Sequence, residues 1–354
     1  MVAYLLAPDA YWSDEWLERE RRLVFGDAWV LAASEDELPA PGDYVTATAG
    51  RSPLLVVRGD DGRLRAFHNF CRHRGVALVE GCGNAGRQLT CPYHQWRYDL
   101  DGALRVVPQR REQFPHLDPA AWGLVPAAVE TWGGMVFVHP SACPQPSLAT
   151  AMGGIPGALG SYRPAELRQV ATATLDLACN WKLFVENHVD VYHLWYLHER
   201  SLGGFDHTGF KHRLLGEHWT SWEPLRTDDL SSASLSQGTT KIAHLDDRDR
   251  YGLGAHLVFP NLMIATAAEF FATYVAEPVA PDHTRLHLRI RAEPGADGAL
   301  LLKAVRSFIE EDVAACEAIQ ANVRSPAFHV GPLARDHEAP IVAFQRHLLA
   351  RLDR

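Results

Sequence analysis

The spacing of hydrophobic positions changes along the chain and divides it into regions of different kind. Across residues 13–25, Trp16, Leu17, Leu23 and Val24 recur near helical spacing, Ser13 stands as a cap, and Asp14 and Glu15 suit the positive end, so a helix is predicted. From about 40 to 140 the period falls to two. PLLVVRG and RLRAFHNF flank Asp61-Gly62, and QWRYDL and ALRVV flank Asp101-Gly102; both read as hairpins. The Pro, Gly and Ser-rich stretch at about 139–161 reads as a connection between domains. Beyond it, TATLDLACNWKLFVENHVDVYHLWYLH begins strand-like and becomes helical, and four runs within 255–292 alternate again. Residues 298–323 carry a long helical pattern with Leu301, Val305, Phe308, Val313, Cys316, Ile319 and Val323 as expected buried positions. The fold class is therefore α+β: an all-β unit, then an antiparallel sheet with helices. The expected boundaries are an N-terminal helical segment at 1–35 packed on the last domain, a β domain at 36–145, and an α+β domain at 146–354.

At 354 residues the chain exceeds the about 250–300 that one hydrophobic core organises, so two domains are expected. A formal charge of −9, with no clustered basic surface visible and Arg110 and Arg111 forming only a pair, argues against a nucleic-acid partner. The N-terminus meets acidic residues before it builds the apolar core of a secretory signal, and no run approaches the roughly 18 apolar residues of a membrane span. The expectation is a cytoplasmic protein with no membrane partner. The 6 cysteines do not resemble a disulfide scaffold, and Cys71 and Cys91 sit in metal-type spacing.

That spacing is Cys71-Arg72-His73 in one arm and Cys91-Pro92-Tyr93-His94 in the other. Each arm supplies one thiolate and one imidazole. Tetrahedral zinc accepts two cysteines and two histidines, but its familiar order keeps the cysteines in one arm and the histidines in the other. In a Rieske-type 2Fe–2S centre the cysteines bind one iron and the histidines the other, which suits arms that mix the two. Histidine ligation also raises the reduction potential above that of an all-cysteine cluster.

A second constellation lies in the stretch from Asn180 to His198. Non-haem iron(II) that activates dioxygen commonly uses two histidines and one carboxylate on one face of the metal. His193 and His198 can supply the pair. Five residues apart is not a helical neighbour spacing, so the helix should end, or carry a π-type bulge, between them. Asp190, three before His193, is placed to accept its ring N–H and fix its orientation. His188 is left as structural or pocket-lining.

Cys71-Arg72-His73-Arg74-Gly75 and Cys91-Pro92-Tyr93-His94 with Trp96 resemble the Rieske non-haem-iron oxygenases, whose second arm usually has glycine where Gln95 stands. Rieske proteins of respiratory complexes carry an extra bridging cysteine in each arm, at the places of Val76 and Tyr93, so that branch is disfavoured. Asn180-Trp181-Lys182, Glu186-Asn187, Asp190, Tyr192-His193 and His198 extend the resemblance to the α subunits of ring-hydroxylating and demethylating oxygenases. It implies a helix-grip, START-like catalytic domain behind an all-β Rieske domain. It implies a mononuclear iron held by His193, His198 and an acidic residue of FIEEDVAACEAIQ, for which Asp312 fits the spacing from Phe308 and to Gln320, with Glu311 second. It further implies a head-to-tail homotrimer in which Asp190 bridges His94 of one copy to His193 of the next, with Asn187 at the catalytic site. The partners would be O₂, a small organic substrate and a separate flavin or ferredoxin reductase using NAD(P)H. The short spacing from Glu186 to His193 is similar to members acting on quaternary ammonium compounds and salicylate-like aromatics, by hydroxylation or demethylation ahead of cis-dihydroxylation. The pocket walls are expected from roughly 195–275, among Trp195, Phe205, Phe210, Trp219, Trp222, Phe259, Phe270, Phe271 and Tyr274. A carrier of electrons with an inactive second domain is the reading of another class.

Overall fold

The computed structural model describes residues 4–226 and 239–354. The chain forms two compact units, Arg21–Ala151, and Met1–Glu20 together with Met152–Arg354. The stretch 1–35 is thereby divided. Met1–Glu20 counts with the second unit, whereas Val30–Ser34, a run buried at every position, is a strand of the first. The first helix, α1, spans Asp14–Leu23, and Ser13 Oγ accepts from Trp16 N at 3.4 Å as the cap required.

In the first unit the strands are β1 (Val30–Ser34), β2 (Asp43–Ala49), β3 (Ser52–Arg58), β4 (Leu64–His68), β5 (Cys82–Asn84), β6 (Gln88–Thr90), β7 (Arg97–Asp99), β8 (Leu104–Val106), β9 (Pro126–Trp132) and β10 (Met135–His139). Seven of them form an antiparallel sheet in the order β1-β10-β9-β4-β3-β2-β5, and β6-β7-β8 form a small second sheet. Both Asp-Gly hairpins are present. Gly62 and Gly102 take φ of 76° and 87°, and Asp61 and Asp101 accept from the backbone N–H two residues on. β3 is buried on both faces: Leu54 and Val56 pack with Val136 and Val138, while Leu55 and Val57 pack with Leu89 and Tyr98 of the small sheet. This sandwich of unequal sheets brings the loop after β4 and the loop after β6 into one apolar core.

The second unit has one seven-stranded antiparallel sheet. Its strands are β11 (Arg168–Leu177), β12 (Lys211–Leu215), β13 (His218–Pro224), β14 (Gly252–Val258), β15 (Leu262–Thr266), β16 (Phe271–Ala280) and β17 (His283–Ala292), in the order β11-β17-β16-β15-β14-β13-β12. Its three longer helices are α2 (Trp181–Val189), α3 (Gly298–Asn322) and α4 (Ala339–Leu352). Helix α3 lies on β11 and β17, and α2 sits against β14, β16, α3 and α4, the helix-grip arrangement expected. α2 starts where Asn180 Oδ1 accepts from Lys182 N at 3.0 Å. It is then anchored by polar groups. Lys182 Nζ and Glu20 Oε1, both fully buried, pair at 2.6 Å, and Glu20 also accepts from Trp181 Nε1 at 2.8 Å. One turn on, Glu186 accepts from Tyr11 at 2.8 Å and from Gln345 at 2.9 Å.

The buried stripe of α3 differs from expectation at two places. Ile319 is 44% exposed and Val313 is half-buried, while Ile309 and Gln320 are buried. The buried positions Leu301, Val305, Ile309, Cys316 and Gln320 are spaced by four or seven residues, so the stripe passes through position 312 and leaves 310 outside, whereas Ile319 shares the angle of Leu301 and is nonetheless exposed.

Candidate metal centres

The two cluster arms repeat one turn. Cys71 N donates to Val76 O at 2.8 Å and Gly75 N to Cys71 O at 2.9 Å; Cys91 N donates to Trp96 O at 2.8 Å and Gln95 N to Cys91 O at 3.1 Å. The fifth residue of this turn needs positive φ, and Gly75 has 79° and Gln95 58°. A non-glycine residue there costs about 1–2 kcal/mol, which Gln95 offsets in part by donating its own Nε2 to Cys91 O at 3.3 Å. The departure from glycine therefore leaves the turn intact. Cys71 and Cys91 are each 2% exposed, within a core that includes Leu55, Leu89 and Trp96. His73 stacks on Trp96 with centroids 4.9 Å apart and meets His94 edge-on at 4.6 Å. Tyr98 places its hydroxyl 3.4 Å from Cys71 Sγ and accepts from Arg72 N at 3.0 Å.

Burial raises the Cys71 thiol above its usual range and lowers the His73 imidazole, which the neighbouring charges of His94 and Arg74 lower further. His73 Nδ1 is buried with no hydrogen-bond partner. A polar atom left so costs about 1–3 kcal/mol, a penalty that metal ligation removes. Among the described residues, the group of three or more His, Cys, Asp or Glu donors lying within 4.8 Å of one another is His193, His198 and Asp312. Cys71, His73, Cys91 and His94 form no such group, so they do not converge on one point as tetrahedral zinc requires. Their chemistry and spread fit a two-iron cluster.

His193 and His198 stand on the irregular segment after α2. The helix ends at Val189, and Asp190 is its C-cap with extended backbone (φ −75°, ψ 125°). The expected break thus falls before His193 and not between the two histidines, because Asp190 Oδ1 turns back to accept from Tyr192 N at 2.6 Å and starts a 3-10 turn over Tyr192–Trp195. Asp190 still reaches His193, with Oδ2 at 3.2 Å from Nδ1. The contact comes from this turn, not from a shared helical face.

Three donor atoms converge. His193 Nε2 and His198 Nε2 lie 3.2 Å apart, and Asp312 Oδ1 is 3.4 Å from the first and 2.9 Å from the second. Facial ligands at ~2.1 Å from a metal and at right angles stand about 3 Å apart. Asp312 Oδ1 is nevertheless buried without a hydrogen bond. Three lone-pair donors facing one another in this way fit a divalent iron. Burial opposes the charged form of His193, but the carboxylates of Asp190 and Asp312 beside it outweigh this and push the imidazole up to about 9. His198 is raised in the same way by Asp312 and Glu311 against its burial. Asp312 is held well below the carboxylate range by the two histidines despite full burial. Glu311, the second choice for the carboxylate, lies on the other side of the ring: its Oε2 is 2.7 Å from His198 Nδ1 and accepts from Ser201 Oγ at 2.5 Å.

The triad opens on a pocket whose walls include Phe184, Asn187, His188, Leu202, Phe210, Trp219, Leu253, Tyr274 and Phe308. Of the aromatic residues expected in the walls, Phe210, Trp219 and Tyr274 are there, whereas Phe205, Phe259, Phe270 and Phe271 are buried in the core. His188 Nε2 lies 3.0 Å from His256 O, and burial lowers its imidazole to about 4, so it is a neutral wall. Sequence reasoning missed Phe184 and Phe308, which face the pocket from α2 and α3, and also Glu223. The helical stripe through Phe308 and Asp312 was the available signal for the second of these.

Residues 164–354 match the family described as ring hydroxylating alpha subunit (catalytic domain), and residues 28–129 match the Rieske 2Fe-2S domain. The chain is 37% identical to the glycine betaine monooxygenase oxygenase subunit of Chromohalobacter salexigens over 174 residues, 49% of this chain and 38% of that protein. It thus spans less than half the length of this relative. With the carnitine monooxygenase oxygenase subunit of Acinetobacter baumannii it is 26% identical over 99% of this chain and 95% of the relative. Among solved structures, a quaternary ammonium Rieske monooxygenase with L-carnitine superposes with a TM-score of 0.82 at 24% identity, covering 100% of this chain and 96% of that one. The naphthalene 1,2-dioxygenase of a Rhodococcus species with bound indole gives 0.79 at 22%, covering 98% and 94%. These likenesses establish the fold: an all-β Rieske domain and an antiparallel-sheet catalytic domain. The chain belongs to the ring-hydroxylating alpha subunit family of Rieske non-haem-iron oxygenases, whose cofactors are a 2Fe–2S cluster and a mononuclear iron. No helix among the described residues is long and apolar enough to cross a membrane.

Proposed function

We propose that this chain is the oxygenase component of a multicomponent system that hydroxylates or oxidatively demethylates a small quaternary ammonium or aromatic compound. Electrons come from a separate flavin or ferredoxin reductase using NAD(P)H, and the protein works in the cytoplasm. The observation that carries this reading is the convergence of His193, His198 and Asp312 at the wall of an apolar pocket. A pure electron carrier has no use for three converging donors and a pocket beside them.

In this reading Cys71, His73, Cys91 and His94 hold the cluster, and His193, His198 and Asp312 hold the mononuclear iron. Bound there, the cluster supplies single electrons and the iron activates dioxygen. The chain supplies geometry and exclusion of water. Glu311 sets the His198 ring through a hydrogen bond at Nδ1, and Asp190 stands 3.2 Å from His193 Nδ1 without hydrogen-bond alignment; both Nε2 atoms face Asp312. Apolar walls such as Phe184, Leu253 and Phe308 keep the pocket dry, and Asn187 offers it a neutral polar group. In a head-to-tail homotrimer Asp190 would stand between His193 and His94 of the neighbouring copy. The names of the glycine betaine and carnitine monooxygenases support the monooxygenase assignment over cis-dihydroxylation.

The test is a screen of quaternary ammonium and aromatic compounds with a surrogate reductase, NAD(P)H and O₂, scored by mass. The expected product is heavier by one oxygen or lighter by one methylene. Iron-replete protein that turns over none of these compounds would contradict the proposal.

A further inference from the structure

On one face of β13, Trp219, Ser221 and Glu223 stand at alternate positions and all three line the pocket that holds the triad. Glu223 is 3% exposed. Its only polar contact among the described residues is with His207, whose Nδ1 is 2.6 Å from Oε2 and which is itself buried. One carboxylate oxygen is thus held and the other is left for a ligand. The remaining carboxylates of the wall are committed, Asp190 to His193 and Asp312 to both histidines. Phe210 and Trp219 lie nearly parallel, centroids 6.4 Å apart, beside this face. Tyr274, also in the wall, is buried with its hydroxyl unpartnered. Among the described residues no Lys or Arg lines the pocket.

We propose that Glu223 and Trp219 form the specificity site for a cationic head group, and that the substrate is an amine or quaternary ammonium compound without a carboxylate. The proposal rests on the pocket being the substrate site of an oxygenase. A buried carboxylate with one oxygen open to the pocket attracts a cation, and an aromatic face adds cation–π attraction. A zwitterionic betaine would bring a second charge that no basic residue of the wall receives, and burying that charge unpaired is costly. An uncharged hydroxyl on the substrate could instead meet Tyr274.

The test measures anaerobic binding to the iron-loaded, cluster-containing protein by calorimetry, using choline, its neutral carbon isostere 3,3-dimethylbutan-1-ol, and glycine betaine. Choline should bind about 30-fold more tightly than the isostere, and more tightly than betaine. In Glu223→Gln the preference for choline over the isostere should collapse to within about 3-fold, while the isostere binds as before and iron content and cluster absorbance are unchanged. A merely structural role for Glu223 would weaken both ligands alike and overturns the proposal. Equal binding of choline and isostere by the unaltered protein overturns it too, and needs no variant to fold. Betaine binding as tightly as choline removes the claim that the substrate lacks a carboxylate. Turnover of an aromatic compound with no cation binding would sink this inference and leave the oxygenase standing, whereas lack of any turnover by iron-replete protein would sink the oxygenase reading itself.

Discussion

In the first unit, the four proposed cluster ligands come from two short loops that repeat the same turn, each closed by a backbone bond from the residue four after the cysteine. In the second, the three donors come from an irregular segment after α2 and from the middle of α3, with Asp190 beside His193 and Glu311 hydrogen-bonded to His198. Loops of the first kind fix their ligands locally, so the motif survives wherever the turn can form. The second kind depends on how two helices and a sheet pack. The difference suggests that the cluster tolerates more distant change than the iron site does.

Asp312→Ala should break the comparison most sharply. It removes a donor and leaves two buried imidazoles, so mononuclear iron should be lost and substrate oxidation should fall by roughly three orders of magnitude. Iron analysis and visible absorbance check it; a bleached cluster would show that the two sites are not independent. Next in size is Lys182→Met, which leaves Glu20 buried with, among the described residues, Trp181 as its remaining hydrogen-bond partner. Breaking such a pair costs about 3–5 kcal/mol, read by chemical denaturation, and a loss below 1 kcal/mol would remove its role in anchoring α2. Glu311→Gln should weaken iron binding by about 10–100-fold without abolishing it, measured by chelator competition. An unchanged affinity would mean that His198 needs no orienting partner. Smallest is Gly75→Gln, which copies the other arm. A Cβ there meets nothing within 4 Å, so the first cost is backbone strain. About 1 kcal/mol or less is expected from thermal loss of cluster absorbance, and loss of the cluster on expression would refute the equivalence of the two turns.

Much of this was legible in the sequence because it is local. The cluster arms, both Asp-Gly hairpins, the Ser13 cap and the alternating strands of 255–292 are each specified by residues a few positions apart. The preference for Asp312 over Glu311 came from the resemblance, through the spacing from Phe308 and to Gln320. A stripe drawn through Leu301, Val305, Phe308 and Cys316 includes 312 and leaves 311 at its margin. What was not legible depends on tertiary packing. The break in α2 is set by Asp190 bonding to Tyr192 N, a choice between capping and helix that spacing alone does not decide. Ile319 reads as core by hydrophobicity, yet Gln320 is buried in its place because its amide serves Asn180 N and Tyr11 O. Glu223 gave no signal, since a lone acidic residue in a polar-alternating strand reads as solvent-facing until the sheet shows which side holds the pocket.

Iron and acid-labile sulfide per chain test the central claim most directly. Two separate sites predict about three irons and two sulfides in the unaltered protein, and about two of each in Asp312→Ala. Two irons and two sulfides in the unaltered, iron-replete protein would contradict the account, because the triad would then hold no iron.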